Sequence, residues 1–65
     1  MSNEHLLTPS DVADRLSLPR LRVERMARAG EIPAIALPGR ELRFRAADIE
    51  QWIERRRIAP TEAAT

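Results

Sequence analysis

The chain has 65 residues, 43% of them hydrophobic, and its eleven basic residues (all arginine) nearly balance ten acids for a net charge of +1. A chain this short buries roughly 60% of its unfolded surface, enough for one core and one domain. With no cysteine and a single histidine it lacks the disulfide and metal staples of many small domains, and a deep enzyme pocket is not expected. The absence of cysteine fits a reducing compartment. Met1–His5 lacks the basic-then-apolar pattern of a signal peptide, and no apolar run approaches membrane-spanning length, so a soluble, cytoplasmic protein is expected.

Residues 1–5 read as a short flexible lead-in. Thr8-Pro9-Ser10-Asp11 predicts a helix start: Thr8 caps, Pro9 fits the first helical position, and Asp11 adds favourable negative charge to the first turn. Leu7 is placed to pack on Val12 as a hydrophobic staple. Val12, Ala13 and Leu16 share one face of a two-turn helix, and Asp11 and Arg15 have the spacing of an i,i+4 ion pair. Ser17-Leu18-Pro19 is a break, with Leu18 turned into the core. A second helix follows over about Arg20 to Ala29, with Val23, Met26 and Ala27 as its buried stripe and Gly30 as its left-handed stop.

Ala34–Leu37 and Leu42–Arg45 then read as two strands joined by a turn over Pro38-Gly39-Arg40-Glu41. Alternation puts Leu42 and Phe44 inside and Arg43 and Arg45 outside, with Ile35 and Leu37 matching the inner face from the first strand. A third helix is predicted over about Ala46 to Arg57, with Ile49, Trp52 and Ile53 facing the core and three arginines complementing its C-terminus. Residues 58–65 read as a disordered tail. The expected architecture is mainly α with a small β-hairpin, in the order α-α-β-β-α, over residues 6–57.

The charges are segregated along this pattern. From Arg15 to Arg45 there are eight arginines against three acids; elsewhere three arginines face seven acids. Concentrating one sign of charge in part of a small fold steers it toward a polyanion despite a near-neutral total. Two helices joined by a three-residue break, with basic side chains opening the second, suit DNA reading, in which the second helix presents its N-terminal half to base edges in the major groove. On this reading Thr8 and Ser10 meet a phosphate at the start of the first helix. Arg20 and Arg22 contact bases, Arg25 a base or a phosphate, and Arg28 extends the same basic face. Arg40, at the hairpin turn, enters a narrow minor groove, and Arg43 and Arg45 meet phosphates.

Plainer readings exist for each feature. Helix pairs with solvated arginines are common, and a charged strand also deters edge pairing. Glu24 reads first as an intrahelical partner of Arg28, and second as an acceptor for cytosine N4 or a group that orients Arg20. Trp52 and Phe44 read as core, and with aromatics at 3% single-strand binding by stacking is poorly supported. His5 stands alone near the terminus. The pairs Asp11/Asp14 and Glu50/Glu54 read as solvated faces. No phosphate-binding glycine loop, nucleophile pair or metal-ligand cluster is present, so no enzymatic activity, metal or cofactor is expected.

The run from Leu6 to Arg57 resembles the excisionase and MerR-like small winged helix–turn–helix family. The resemblance is carried by Leu7-Thr8 before DVADRLSL, by RAGEIPAI, and by PGRELRFRAADIEQWI, in that order and spacing. It implies duplex DNA binding through the helix carrying Arg20 to Arg28 and a wing around Arg40. It also implies a role as a recombination directionality factor or small transcription regulator, with an integrase or further copies on adjacent sites as partners. Three positions depart from the family pattern: Ser17 stands where glycine is usual, Pro19 where a hydroxyl cap is frequent, and Glu41 where the wing is often aromatic or basic. The long dimerising helix and effector domain of full MerR-type regulators have no counterpart, so no small-molecule ligand is implied. A protein-interaction module that keeps the fold without DNA binding is the alternative.

Overall fold

The computed structural model describes residues 5–58. They form α1 (Pro9–Leu16), α2 (Arg20–Arg28), β1 (Ile35–Leu37), β2 (Glu41–Arg43) and α3 (Ala46–Arg55), a winged helix–turn–helix in the expected order. Apart from His5 and Ile58, the lead-in expected over 1–5 and the tail expected over 58–65 lie outside the described residues. Among the described residues no helix is long and apolar enough to cross a membrane.

α1 opens with a capping box. The Thr8 hydroxyl oxygen accepts the Asp11 amide at 3.1 Å, and the Asp11 carboxylate accepts the Thr8 amide at 3.0 Å. Two otherwise orphaned donors are thereby satisfied, and a cap of this kind contributes about 1 kcal/mol. It also overturns the expected Asp11–Arg15 pair: Asp11 is turned back to the helix start, and Arg15 pairs instead with Glu50 of α3.

α1 and α2 end by the same device. After α1, the Leu18 amide donates to the Ala13 carbonyl (3.0 Å) and the Ser17 amide to Asp14 (3.3 Å). After α2, the Glu31 amide donates to Met26 (2.8 Å) and the Gly30 amide to Ala27 (3.1 Å). Each is a Schellman closure, which requires a left-handed residue just past the helix. Gly30 meets that requirement without strain at φ +76, whereas Ser17 holds φ 58 as a residue with a side chain. The closure at Ser17 turns Leu18 onto the core, as expected, and sets α2 across α1.

The core consists of Val12, Ala13, Val23, Ile32, Leu42, Phe44 and Ile49, with Leu7, Leu16, Leu18, Met26, Ala27, Trp52 and Ile53 packed around it. The three helical stripes read from the sequence are all represented. Ile32 is an addition: it lies between α2 and β1, outside any periodic segment, and is 3% exposed.

The hairpin departs from expectation in register. Its turn has three residues, Pro38–Arg40, so Leu37 pairs with Glu41, Ala36 with Leu42 and Ile35 with Arg43. The four-residue turn expected from the sequence would have set Leu37 opposite Leu42. A slip of one residue moves a strand's side chains to the other face. Ile35 and Leu37, both half-buried, therefore share the outer face with Arg43 and Glu41, and only Ala36 lies on the Leu42 face. The wing is held to the body by a bridge on its other side: Leu7 and Phe44 exchange amide–carbonyl bonds of 2.7 and 2.9 Å. Leu7 thus anchors the sheet as well as packing on the core.

α3 ends at Arg55, two residues before the expected boundary. The Trp52 indole N–H donates to the Glu31 carbonyl at 2.8 Å, fixing α3 to the turn after α2.

Candidate nucleic-acid interface

Val23, fully buried, fixes how α2 rotates about its axis. Arg20, Glu24 and Arg28, spaced four apart, then form one row along its flank. That row faces the start of α1 on one side and the hairpin on the other. Together they line an open groove of about 360 Å³ bounded by Thr8, Pro9, Ser10, Arg20, Glu24, Arg28, Arg40, Glu41, Leu42 and Arg43. Six of the nine side chains expected from the sequence to meet DNA border this one groove.

The helix and the wing are in direct contact here. The Arg28 guanidinium donates to the Arg40 carbonyl at 3.3 Å. Arg40 follows Gly39 (φ +80) and is itself left-handed at φ 64, so two consecutive residues of the turn have positive φ. Glycine accommodates this readily; Arg40 does so against its Cβ. The Arg40 side chain is exposed at the hairpin tip.

Several arginines already have partners. Arg20 pairs with Glu24 at 3.5 Å, so the expected Glu24–Arg28 pair is replaced by the second reading of Glu24, a partner for Arg20. The physical reason is the wing: its Arg40 carbonyl takes the Arg28 guanidinium. Arg43 donates to the Glu41 carboxylate at 3.2 Å and to the Leu42 carbonyl at 2.7 Å, folding back along its own strand rather than extending outward. Glu41 therefore restrains Arg43.

Arg22 and Arg25 lie on α2 outside the groove and are exposed; no carboxylate pairs with either among the described residues. At about 100° per residue, Arg20 and Arg22 leave the helix about 160° apart, so the two residues expected to read bases together sit on opposite margins of α2. Arg25 lies between them on the outermost face, with Leu21 one turn before it. Sequence reasoning passed over Leu21, although an apolar residue off the Val23–Met26–Ala27 stripe was a visible signal. Arg45 is the N-cap residue of α3 and is exposed.

The opposite side of the domain uses its arginines differently. Arg15 pairs with Glu50, Arg57 with Glu54 (3.3 Å), and the Arg56 guanidinium lies 4.2 Å from the Trp52 ring centroid. Asp11, Asp14, Glu50 and Glu54 are all exposed, as expected of solvated faces, and three of them also have partners: Asp11 in the cap, Glu50 and Glu54 in ion pairs. His5 is exposed, and no group of three or more His, Cys, Asp or Glu able to hold a metal ion occurs among the described residues.

Compared with known proteins, residues 6–57 match the model of a family described as a helix-turn-helix domain. No curated protein and no solved structure matches the chain.

Proposed function

The chain belongs to the helix-turn-helix domain family, an excisionase-like group of small domains, and on that premise we propose that it binds duplex DNA in a sequence-specific manner. Family membership supports DNA binding in general. The finer reading sets α2 in the major groove, the Arg40 turn against an adjacent minor groove, and the start of α1 on a phosphate. The biological role is then that of a recombination directionality factor or a small transcription regulator, with an integrase or further copies of the chain as companions on the DNA.

The observation that carries this reading is the α1–α2–wing groove, where Arg20, Arg28, Arg40 and Arg43 converge from two elements on one surface. Thr8 and Ser10 stand at its edge. The Thr8 hydroxyl uses its oxygen in the cap but keeps a proton to donate, and the exposed Ser10 adds another hydroxyl donor. Arg22, Arg25 and Arg40 form no carboxylate ion pair among the described residues, so binding phosphate or a base edge breaks no existing one.

Selection from random duplexes followed by salt titration tests the proposal. Phosphate contacts make log K fall linearly with log salt, with a slope near −0.9 per phosphate. A steep slope is expected for the native chain, and Arg40→Ala should reduce it by about one. A flat salt response, or no selected duplex, would favour the interaction-module alternative instead.

A further inference from the structure

We infer that Leu21 is a specificity-determining residue that reads the 5-methyl group of a pyrimidine, a thymine in unmodified DNA, in the major groove. The inference rests on the proposed seating of α2.

Three large hydrophobic residues are exposed among the described residues: Leu6, Leu21 and Ile58. Leu6 and Ile58 lie outside the helices and strands, near the two ends of the described chain. Leu21 alone lies inside an element, and it is 57% exposed. Its position follows from Val23. With Val23 wholly buried, a residue two places earlier leaves α2 about 160° away, on the face directed outward from the domain. Arg25 and Arg28 follow at i+4 and i+7, so Leu21 begins an outward stripe whose other members are cationic.

That placement narrows what Leu21 can meet. A leucine cannot hydrogen-bond a phosphate or a base edge. It stands in the first turn of α2, the part of a reading helix that meets base edges. The one apolar group on the major-groove edge of unmodified DNA is the thymine 5-methyl, and apolar side chains are its natural partners. Arg25, one turn further along the same face, sets charge complementary to the backbone beside that apolar contact. High helix propensity also favours leucine, but it applies about equally to glutamate or glutamine, which would leave no apolar surface in the groove.

The test uses the native chain and a duplex selected by it from random sequence. Each thymine is replaced in turn by deoxyuridine, which deletes the methyl and nothing else. Replacing one thymine should weaken binding about four-fold, the loss for one buried methyl-sized group. Leu21→Ala, which leaves the helix intact, should bind the thymine and uracil duplexes equally, and Leu21→Met should restore the difference. Putting cytosine and then 5-methylcytosine at that position separates the two sources of the methyl. Recovery with 5-methylcytosine marks a reader of the methyl itself, whereas no recovery restricts the contact to thymine; either outcome supports the inference if Leu21→Ala abolishes the thymine–uracil difference. Native binding that is indifferent to every uracil replacement would overturn the inference while leaving duplex binding intact, as would a thymine preference unchanged in Leu21→Ala. Failure to select any duplex would overturn the seating of α2 as well.

Discussion

The outward face of α2 with the hairpin tip, and the side where α1 meets α3, are built from the same residue type and put it to opposite uses. Between α1 and α3, and just past the end of α3, arginines are consumed internally: Arg15 on Glu50, Arg57 on Glu54, Arg56 on the Trp52 ring. Along α2 and the hairpin tip, Arg22, Arg25 and Arg40 extend into solvent with no carboxylate ion pair among the described residues. The difference teaches that counting arginines does not locate a polyanion surface. Their partners decide which cations remain available, and those partners are set by tertiary placement.

The groove itself is intermediate between the two. Arg20 and Arg43 are held by Glu24 and Glu41 inside the basic surface. A carboxylate there weakens the overall attraction for phosphate but orients the guanidinium beside it. An oriented guanidinium suits recognition of a particular geometry more than uniform adhesion to the backbone.

Removing the support common to both regions has the largest expected effect. Phe44 is fully buried, packs in the core, and bonds through its backbone to Leu7. Phe44→Ala should cost about 3–5 kcal/mol, measured by urea denaturation, and abolish the interface with the fold. The next effect separates the regions. Arg25→Ala should lower affinity for a selected duplex by about 1–3 kcal/mol, while Arg57→Ala should leave it unchanged at moderate salt. Equal losses would mean that partnering does not distinguish the two sides.

Smaller effects sharpen the contrast. Ser17 holds a left-handed backbone that glycine adopts without strain, so Ser17→Gly should stabilise the domain by about 0.5–1 kcal/mol, less than the full strain because glycine also loosens the unfolded chain. A higher midpoint of thermal unfolding with unchanged DNA affinity is the expected result. Arg15→Ala should cost at most about 1 kcal/mol, because both partners are half-exposed, and the cost should shrink in high salt.

Much of the fold was legible along the chain because its signals are local. Thr8-Pro9-Ser10-Asp11 states a helix start, Gly30 a stop, and the spacing of Ile49, Trp52 and Ile53 a buried stripe, each within a few residues of the feature it specifies. The hairpin shows the limit. Leu42 and Phe44 were assigned to the inner face, but Ile35 and Leu37 went to the outer one because the register depends on whether Glu41 belongs to the turn or to the strand. Local sequence does not decide that. Ile32 was missed for a similar reason: a lone apolar residue in a loop has no periodicity to reveal it.

The candidate site divides along the same line. The sequence alone determined the order of elements, the caps and the concentration of positive charge between Arg15 and Arg45, because these follow from residue type and spacing within short stretches. Only the tertiary structure decided that Arg28 reaches the Arg40 carbonyl rather than Glu24, that Arg15 crosses to Glu50, and that Leu21 faces outward beside Arg25. A long, flexible side chain takes the partner nearest in space, and which groups are nearest is fixed by the packing of α2 and the wing on the shared core.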